Sequence, residues 1–155
     1  MGDRTTPPQT TTYRFHVSVH ARPVEATPGP SIVAGGQTYP TLDVPREAMY
    51  GTMMACTFEE AAARLGALPR MFIEPDGAFV WVSAQGEAPW QVDGNLYDRA
   101  GSVAFVDLRG SCASGEFDRL LMALGWPETK LMLQLVREAV FVEEADFRRL
   151  AAAAS

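Results

Sequence analysis

Residues 70–109 read RMFIEPDGAFVWVSAQGEAPWQVDGNLYDRAGSVAFVDLR, and this stretch decides the fold. It divides into four short extended segments, MFIEP, AFVWVS, WQVDGNLYD and SVAFVDLR. The breaks between them are turn formers: Pro75-Asp76-Gly77, Gly86-Glu87-Ala88-Pro89 and Arg99-Ala100-Gly101. Pro presets φ, Asp bonds the backbone two residues on, and Gly tolerates φ > 0. Ala78–Ser83 is rich in β-branched and aromatic residues, which suit a pleated, packed surface. Met71–Glu74 and Ala78–Ser83 are therefore a predicted hairpin. Phe79 and Trp81 share one face of its second strand, Val80 and Val82 the other. Both faces are apolar, so the expectation is a central strand covered on both sides. In Ser102–Arg109, Val103, Phe105 and Asp107 alternate with Ala104, Val106 and Leu108. The fold class that follows is α+β: a mainly antiparallel sheet of four to six strands with helices packed on it.

Upstream, Tyr13–His20 alternates cleanly. Tyr13, Phe15, Val17 and Val19 make an apolar face, and Arg14, His16, Ser18 and His20 a polar, solvated one. That is the pattern of a half-buried strand. Residues 1–12 are rich in Thr, Pro and Gln and are predicted to be a disordered tail ahead of a single domain over 13–155. Ala21–Leu42 holds many prolines and the Gly35-Gly36 pair, which exclude ordered helix. It reads either as a long functional loop or as hidden strand, with Ile32-Val33 a candidate edge strand.

Asp43–Gly66 is helical in pattern, in two pieces. Pro45 suits a first helical position, and Met49 and Met53 fall on one face. Thr57-Phe-Glu-Glu60 has capping-box spacing, so the second piece begins at Thr57 and ends at Gly66. After the sheet, Ser114 is placed to cap a helix whose Phe117, Leu120, Leu121 and Leu124 form a buried stripe. Gly125 stops it, with Trp126 packing back. For Leu131–Val136 the length of the pattern favours helix, opened by Pro127, over a strand marked by the alternation of Leu131, Leu133 and Leu135. Val140-Phe141-Val142 reads as extended before a last helix, Glu144–Ala153, with acidic residues in its first turn.

The chain has 155 residues, a size that fits one domain with a sizeable core. Net charge is −6, with 13 basic and 19 acidic residues and no basic stripe, which argues against nucleic acid. No apolar run approaches a membrane span, and MGDRTTPPQTTT lacks the apolar middle of a signal peptide. Two cysteines, Cys56 and Cys112, fit free thiols in a reducing compartment, although a single disulfide is also compatible. The expected localisation is cytoplasmic.

Few residues carry the makings of chemistry. Cys112, in Arg109-Gly-Ser-Cys-Ala-Ser-Gly115, sits between a predicted strand and a helix N-terminus, where a thiol pKa can fall. No base is paired to the thiol by spacing, so the favoured reading is a small buried residue in a Ser/Gly turn capped by Ser114. Gly110 and Gly115 have P-loop spacing, but Glu116 and Phe117 stand where Lys and Ser/Thr are required. His16 and His20 lie on one strand face, about 13 Å apart. That is too far to share a metal ligated at about 2 Å per bond. Asp93-Gly94 is better read as a turn than as the start of a calcium loop. Asp107, beside Arg109, reads as half of a partly buried ion pair or as a strand-end residue ahead of a general base. Trp81, Trp90 and Tyr97 are the candidate binding residues, because large amphipathic side chains anchor interfaces when they do not fill cores.

With no catalytic spacing, metal set or phosphate loop, the expectation leans away from an enzyme. It is a non-enzymatic cytoplasmic protein-interaction or accessory module, without cofactor. Its partner would be another protein or a second copy, met through the sheet edge or the C-terminal helices. The alternative is a small enzyme or ligand binder with a cleft where Arg109–Gly115 meets the polar face of Tyr13–His20. It would use Cys112, His16, His20 and Arg109.

Overall fold

The alternation of Tyr13, Phe15, Val17 and Val19 buries those four side chains on one side of β1 (Thr12–Ala21), which lies at the centre of the sheet. The computed structural model describes residues 11–153. Most of the predicted tail lies outside the described residues; Thr11 accepts a bond from the Ser114 N–H at 2.8 Å, and Thr12 opens β1. The elements that follow are β2 (Thr27–Ala34), β3 (Gln37–Asp43), α1 (Arg46–Gly51), α2 (Phe58–Gly66), β4 (Met71–Ile73), β5 (Ala78–Val82) and β6 (Gln91–Arg99). Then come β7 (Ser102–Ala113), α3 (Ser114–Ala123), β8 (Leu131–Leu135), β9 (Val140–Glu143) and α4 (Glu144–Ala153). All nine strands join one antiparallel sheet in the order β2-β3-β9-β8-β1-β7-β6-β5-β4. The four segments of residues 70–109 are consecutive neighbours in it, as their turn chemistry predicts. The sheet exceeds the expected four to six strands because Ala21–Leu42 is the hairpin β2–β3 and Leu131–Leu135 is a strand.

That second point corrects the helix expected over Leu131–Val136. β1 needs a partner on the side away from β7. Leu131, Leu133 and Leu135 supply it, opposite Ala21, Val19 and Val17. Met132 on the other side of β8 is also buried. A strand buried on both faces loses the polar alternation that separates strand from helix. Conversely β5, expected to be covered on both sides, is covered on one. Phe79 and Trp81 enter the core, and Val80 on the opposite side is 36% exposed.

Helices α2, α3 and α4 pack against the same side of the sheet. Phe117 and Phe147 meet Tyr13 and Phe15 edge-on, with centroids 5.2–6.4 Å apart. Arg148 ties α4 to α3 through Asp118 at 2.6 Å, while Glu144 holds its Nε at 2.8 Å. The capping box of α2 forms as predicted: Thr57 Oγ1 accepts from the Glu60 N–H at 3.1 Å, and Glu60 accepts in return from the Thr57 N–H. Ser114 is not a cap. β7 runs on to Ala113, which is the N-cap without a side-chain bond.

Asp93-Gly94 is not a turn either; it lies mid-strand in β6. Gly94 stands opposite Phe79, whose ring fills the space a side chain would take. Both sheet edges resist strand addition. Pro28 and Pro30 remove N–H donors from β2, and β4 spans only three residues. Among the described residues no helix is long and apolar enough to cross a membrane.

Candidate functional site on the uncovered sheet face

Among the described residues, the second face of the sheet carries a single short helix, α1, at one end. Strand alternation sends Phe72, Val80, Asp93, Asn95, Tyr97, Phe105, Asp107 and Arg109 to this face, together with Arg14, His16, Ser18, His20, Gln134 and Phe141. Its centre is a line of rings crossing from β6 to β9. Tyr97 stacks on Phe105 with centroids 4.5 Å apart, Phe105 stacks on His20 at 5.3 Å, and Phe141 meets His20 edge-on at 5.4 Å. Helix α1, which has no buried residue, lies over one end of this line. Arg99 holds it there: its guanidinium bonds the Tyr50 carbonyl and sits 4.8 Å over the Tyr50 ring. Between α1 and the rings is a cavity of about 470 Å³ lined by His20, Phe105, Phe141, Met49, Tyr50 and Arg46 among others.

His20 is the polar centre of the line. Its Nε2 lies 2.8 Å from Ser18 Oγ, and Ser18 Oγ lies 3.3 Å from Gln134 Oε1. A hydroxyl has one proton. Ser18 Oγ donates either to Gln134 Oε1, accepting from His20 Nε2, or to His20 Nε2, according to the imidazole tautomer. Burial pulls the His20 pKa from 6.5 to about 4, so the imidazole is neutral at pH 7. Ser18 itself is buried. The arrangement satisfies buried polar groups and orients a flat ring.

The other end of the face is cationic. Arg14, His16, Arg109, Ser111, Val136 and Arg137 line an open depression of about 610 Å³. His16 lies opposite Arg109, and Arg14 opposite Ser111, in the β1–β7 register.

The structure thus brings His16 and Arg109 together and leaves His20 at the far end of β1. Cys112 is separated from all three. It points to the opposite side of the sheet, beside Tyr13 in the register, and is 0% exposed. Burial, with a smaller contribution from Glu116, pushes its thiol up to about 12, the reverse of the depressed pKa a nucleophile needs. Cys56 and Cys112 are both free and buried.

Trp81 is core rather than surface, with Nε1 donating to the Pro69 carbonyl at 2.8 Å. Trp90 is half-buried, edge-on to Trp81 at 4.9 Å. Of the three aromatic candidates only Tyr97, 40% exposed, faces the open side. Asp107 makes no ion pair with Arg109; it lies across from Ser18 and Asn95. Phe105, Phe141, Arg14 and Arg137 were not singled out from the sequence. Phe105 carried a signal, since it shares the alternation of Asp107 and Arg109. The others needed the strand order.

Among the described residues no group of three or more His, Cys, Asp or Glu side chains is placed to hold a metal ion. Comparison of the chain with family models, with curated proteins and with solved structures finds no significant match.

Proposed function

We propose that the chain is a non-enzymatic protein-interaction or accessory module that receives a protein partner on the uncovered face of its sheet. The observation that carries this reading is the asymmetry of burial. Three helices seal one side, while the other presents Phe72 at 62% and Val80 at 36% exposure on β4 and β5, and Tyr97 at 40% in the line of stacked rings, with Asp93 and Asn95 between. Aromatic side chains on a rigid sheet lose little entropy on binding and anchor interfaces well. The guarded edges favour face over edge as the docking surface. Two unpaired thiols accord with the cytoplasm as the compartment.

The experiment compares three forms of the protein: wild type, a Tyr97→Glu/Phe72→Glu variant, and an Arg119→Glu variant on the helical side. Each is run through light scattering at increasing concentration and through affinity capture from the source cell. The reading expects a partner, or self-association, that is lost with the first variant and kept with the second. A strict monomer whose captured set is the same for all three forms overturns it. The cavity beneath α1 favours a second reading, a small planar ligand stacked on Phe105 and His20. That reading requires a ligand-induced rise in melting temperature that Phe105→Ala abolishes.

A further inference from the structure

We propose that the depression around Arg109 recognises an acidic, extended peptide segment of the partner, whose carboxylates are taken by Arg14, Arg109 and Arg137. The inference rests on the face-docking reading above and names the chemistry of what docks. In a chain with 19 acidic residues to 13 basic, an arginine readily finds a carboxylate. Arg22, Arg64, Arg119, Arg148 and Arg149 each do so. Arg99 instead bonds the Tyr50 carbonyl.

Arg14, Arg46, Arg70, Arg109 and Arg137 make no ion pair or side-chain hydrogen bond among the described residues, and three of these five line one depression. No acidic side chain lines it. Asp93, opposite Arg109 in the register, accepts from Gln91 Nε2 at 3.0 Å instead. Three arginines lining one depression, with no carboxylate bonded to any of them, give it a positive potential. That potential favours an arriving anion, which the arginines can take by charge-assisted hydrogen bonds.

The geometry favours a peptide over a small free anion. The depression is open and has Ser111, His16 and Val136 among the arginines, rather than an enclosing cradle of backbone N–H groups. Arg14 and Arg109 are diagonal neighbours in the β1–β7 register. Such diagonals are about 7–8 Å apart. Alternate residues of an extended chain repeat at about 6.8 Å and point to the same side. A segment with acidic residues at every second position therefore matches the arginine spacing. Val136, 40% exposed, offers apolar contact beside it.

The test uses two fluorescein-labelled peptides of one composition, Glu-Ser-Glu-Ser-Glu-Ser and Glu-Glu-Glu-Ser-Ser-Ser, read by polarisation in low salt against the full chain. The alternating peptide is expected to bind saturably, more tightly than its isomer, and several-fold more weakly at physiological salt, where screening shortens the reach of charge. Arg14→Ala/Arg109→Ala should weaken it at least about tenfold, since each charge-assisted bond lost costs a few-fold or more. Arg70→Ala, which removes an unpartnered arginine elsewhere, should leave it unchanged.

Any of four results overturns the proposal: no saturable binding, equal loss with Arg70→Ala, no preference between isomers, or displacement of the peptide by inorganic phosphate at equal concentration. All these side chains are exposed, so a melting temperature near that of wild type verifies the fold of each variant. If Tyr97→Glu/Phe72→Glu abolishes partner capture while Arg14→Ala/Arg109→Ala does not, the acidic-segment inference fails and the face-docking reading stands. If neither pair matters, both fail.

Discussion

Gly94→Ala is the sharpest perturbation the sheet offers. Gly94 sits mid-strand in β6 with an ordinary extended backbone, so an alanine there meets no conformational penalty. By itself the exchange would stabilise the protein by about 0.4–1 kcal/mol, because the unfolded chain loses freedom. The new Cβ, however, would stand 2.1 Å from Phe79 Cζ and within 2.6 Å of both neighbouring ring carbons. Phe79 is 3% exposed and walled in by the core, so its ring cannot swing away freely. Overpacking of this kind costs about 1–3 kcal/mol, and expelling the ring altogether approaches the 3–5 kcal/mol of a Phe→Ala truncation. The net expectation is a loss of roughly 2–4 kcal/mol. For a chain of this length that is a fall in melting temperature of roughly 4–16 °C.

Urea unfolding of wild type, Gly94→Ala, Phe79→Leu and the double variant measures it as a thermodynamic cycle. With leucine at 79 the added methyl has room, so the double variant should cost about 1 kcal/mol or more less than the sum of the singles. Gly115→Ala is the control. That position is helical and open, with nothing near its Cβ, and the exchange should be neutral or stabilising by up to about 1 kcal/mol. A Gly94→Ala protein as stable as wild type, or strict additivity with Phe79→Leu, would refute the packing of β5 against β6.

Two further predictions follow from the buried titratable groups. Cys112, sealed in the core with its thiol pushed up to about 12, should resist iodoacetamide at pH 7 to 9 in the folded protein and react fully in denaturant; fast native labelling would show that the thiol faces solvent. His20 titrates near 6.5 when unfolded and near 4 when folded, so the folded state binds fewer protons between these values. Its contribution is complete above pH 6.5 and is lost as pH falls towards 4, with an upper bound of roughly 3 kcal/mol. Unfolding curves from pH 7.5 to 4.5 should therefore be less steep in pH for His20→Gln than for wild type, and parallel curves would reject the buried neutral imidazole.

Residues 70–109 and Tyr13–Val19 declare their strands because one face of each is apolar and the turns between them have specific backbone chemistry. The capping box at Thr57 and the acidic first turn of Glu144–Ala153 are likewise local, and both were legible. Where the deciding contact lies far along the chain, local pattern misleads. Leu131–Leu135 is strand because β1 needs hydrogen-bond partners some 115 residues away in sequence, such as Gln134 opposite Ser18. Gly94 looks like a turn until Phe79 is seen to occupy its missing side chain. Cys112 reads from its neighbours as a small buried residue first and a reactive thiol second, and strand parity, which turns it into the core beside Tyr13, removes the second reading. The site divides the same way: alternation put His16 on the polar face of its strand, whereas bringing it to Arg109, with Arg14 and Arg137 in one cationic depression, required the order of β8, β1 and β7. Periodicity and turn chemistry act within a few residues and determined which segments could be strands or helices. Strand order, and with it which side of the sheet stays bare, is set by burial and backbone pairing between distant segments, so only the tertiary structure decided it.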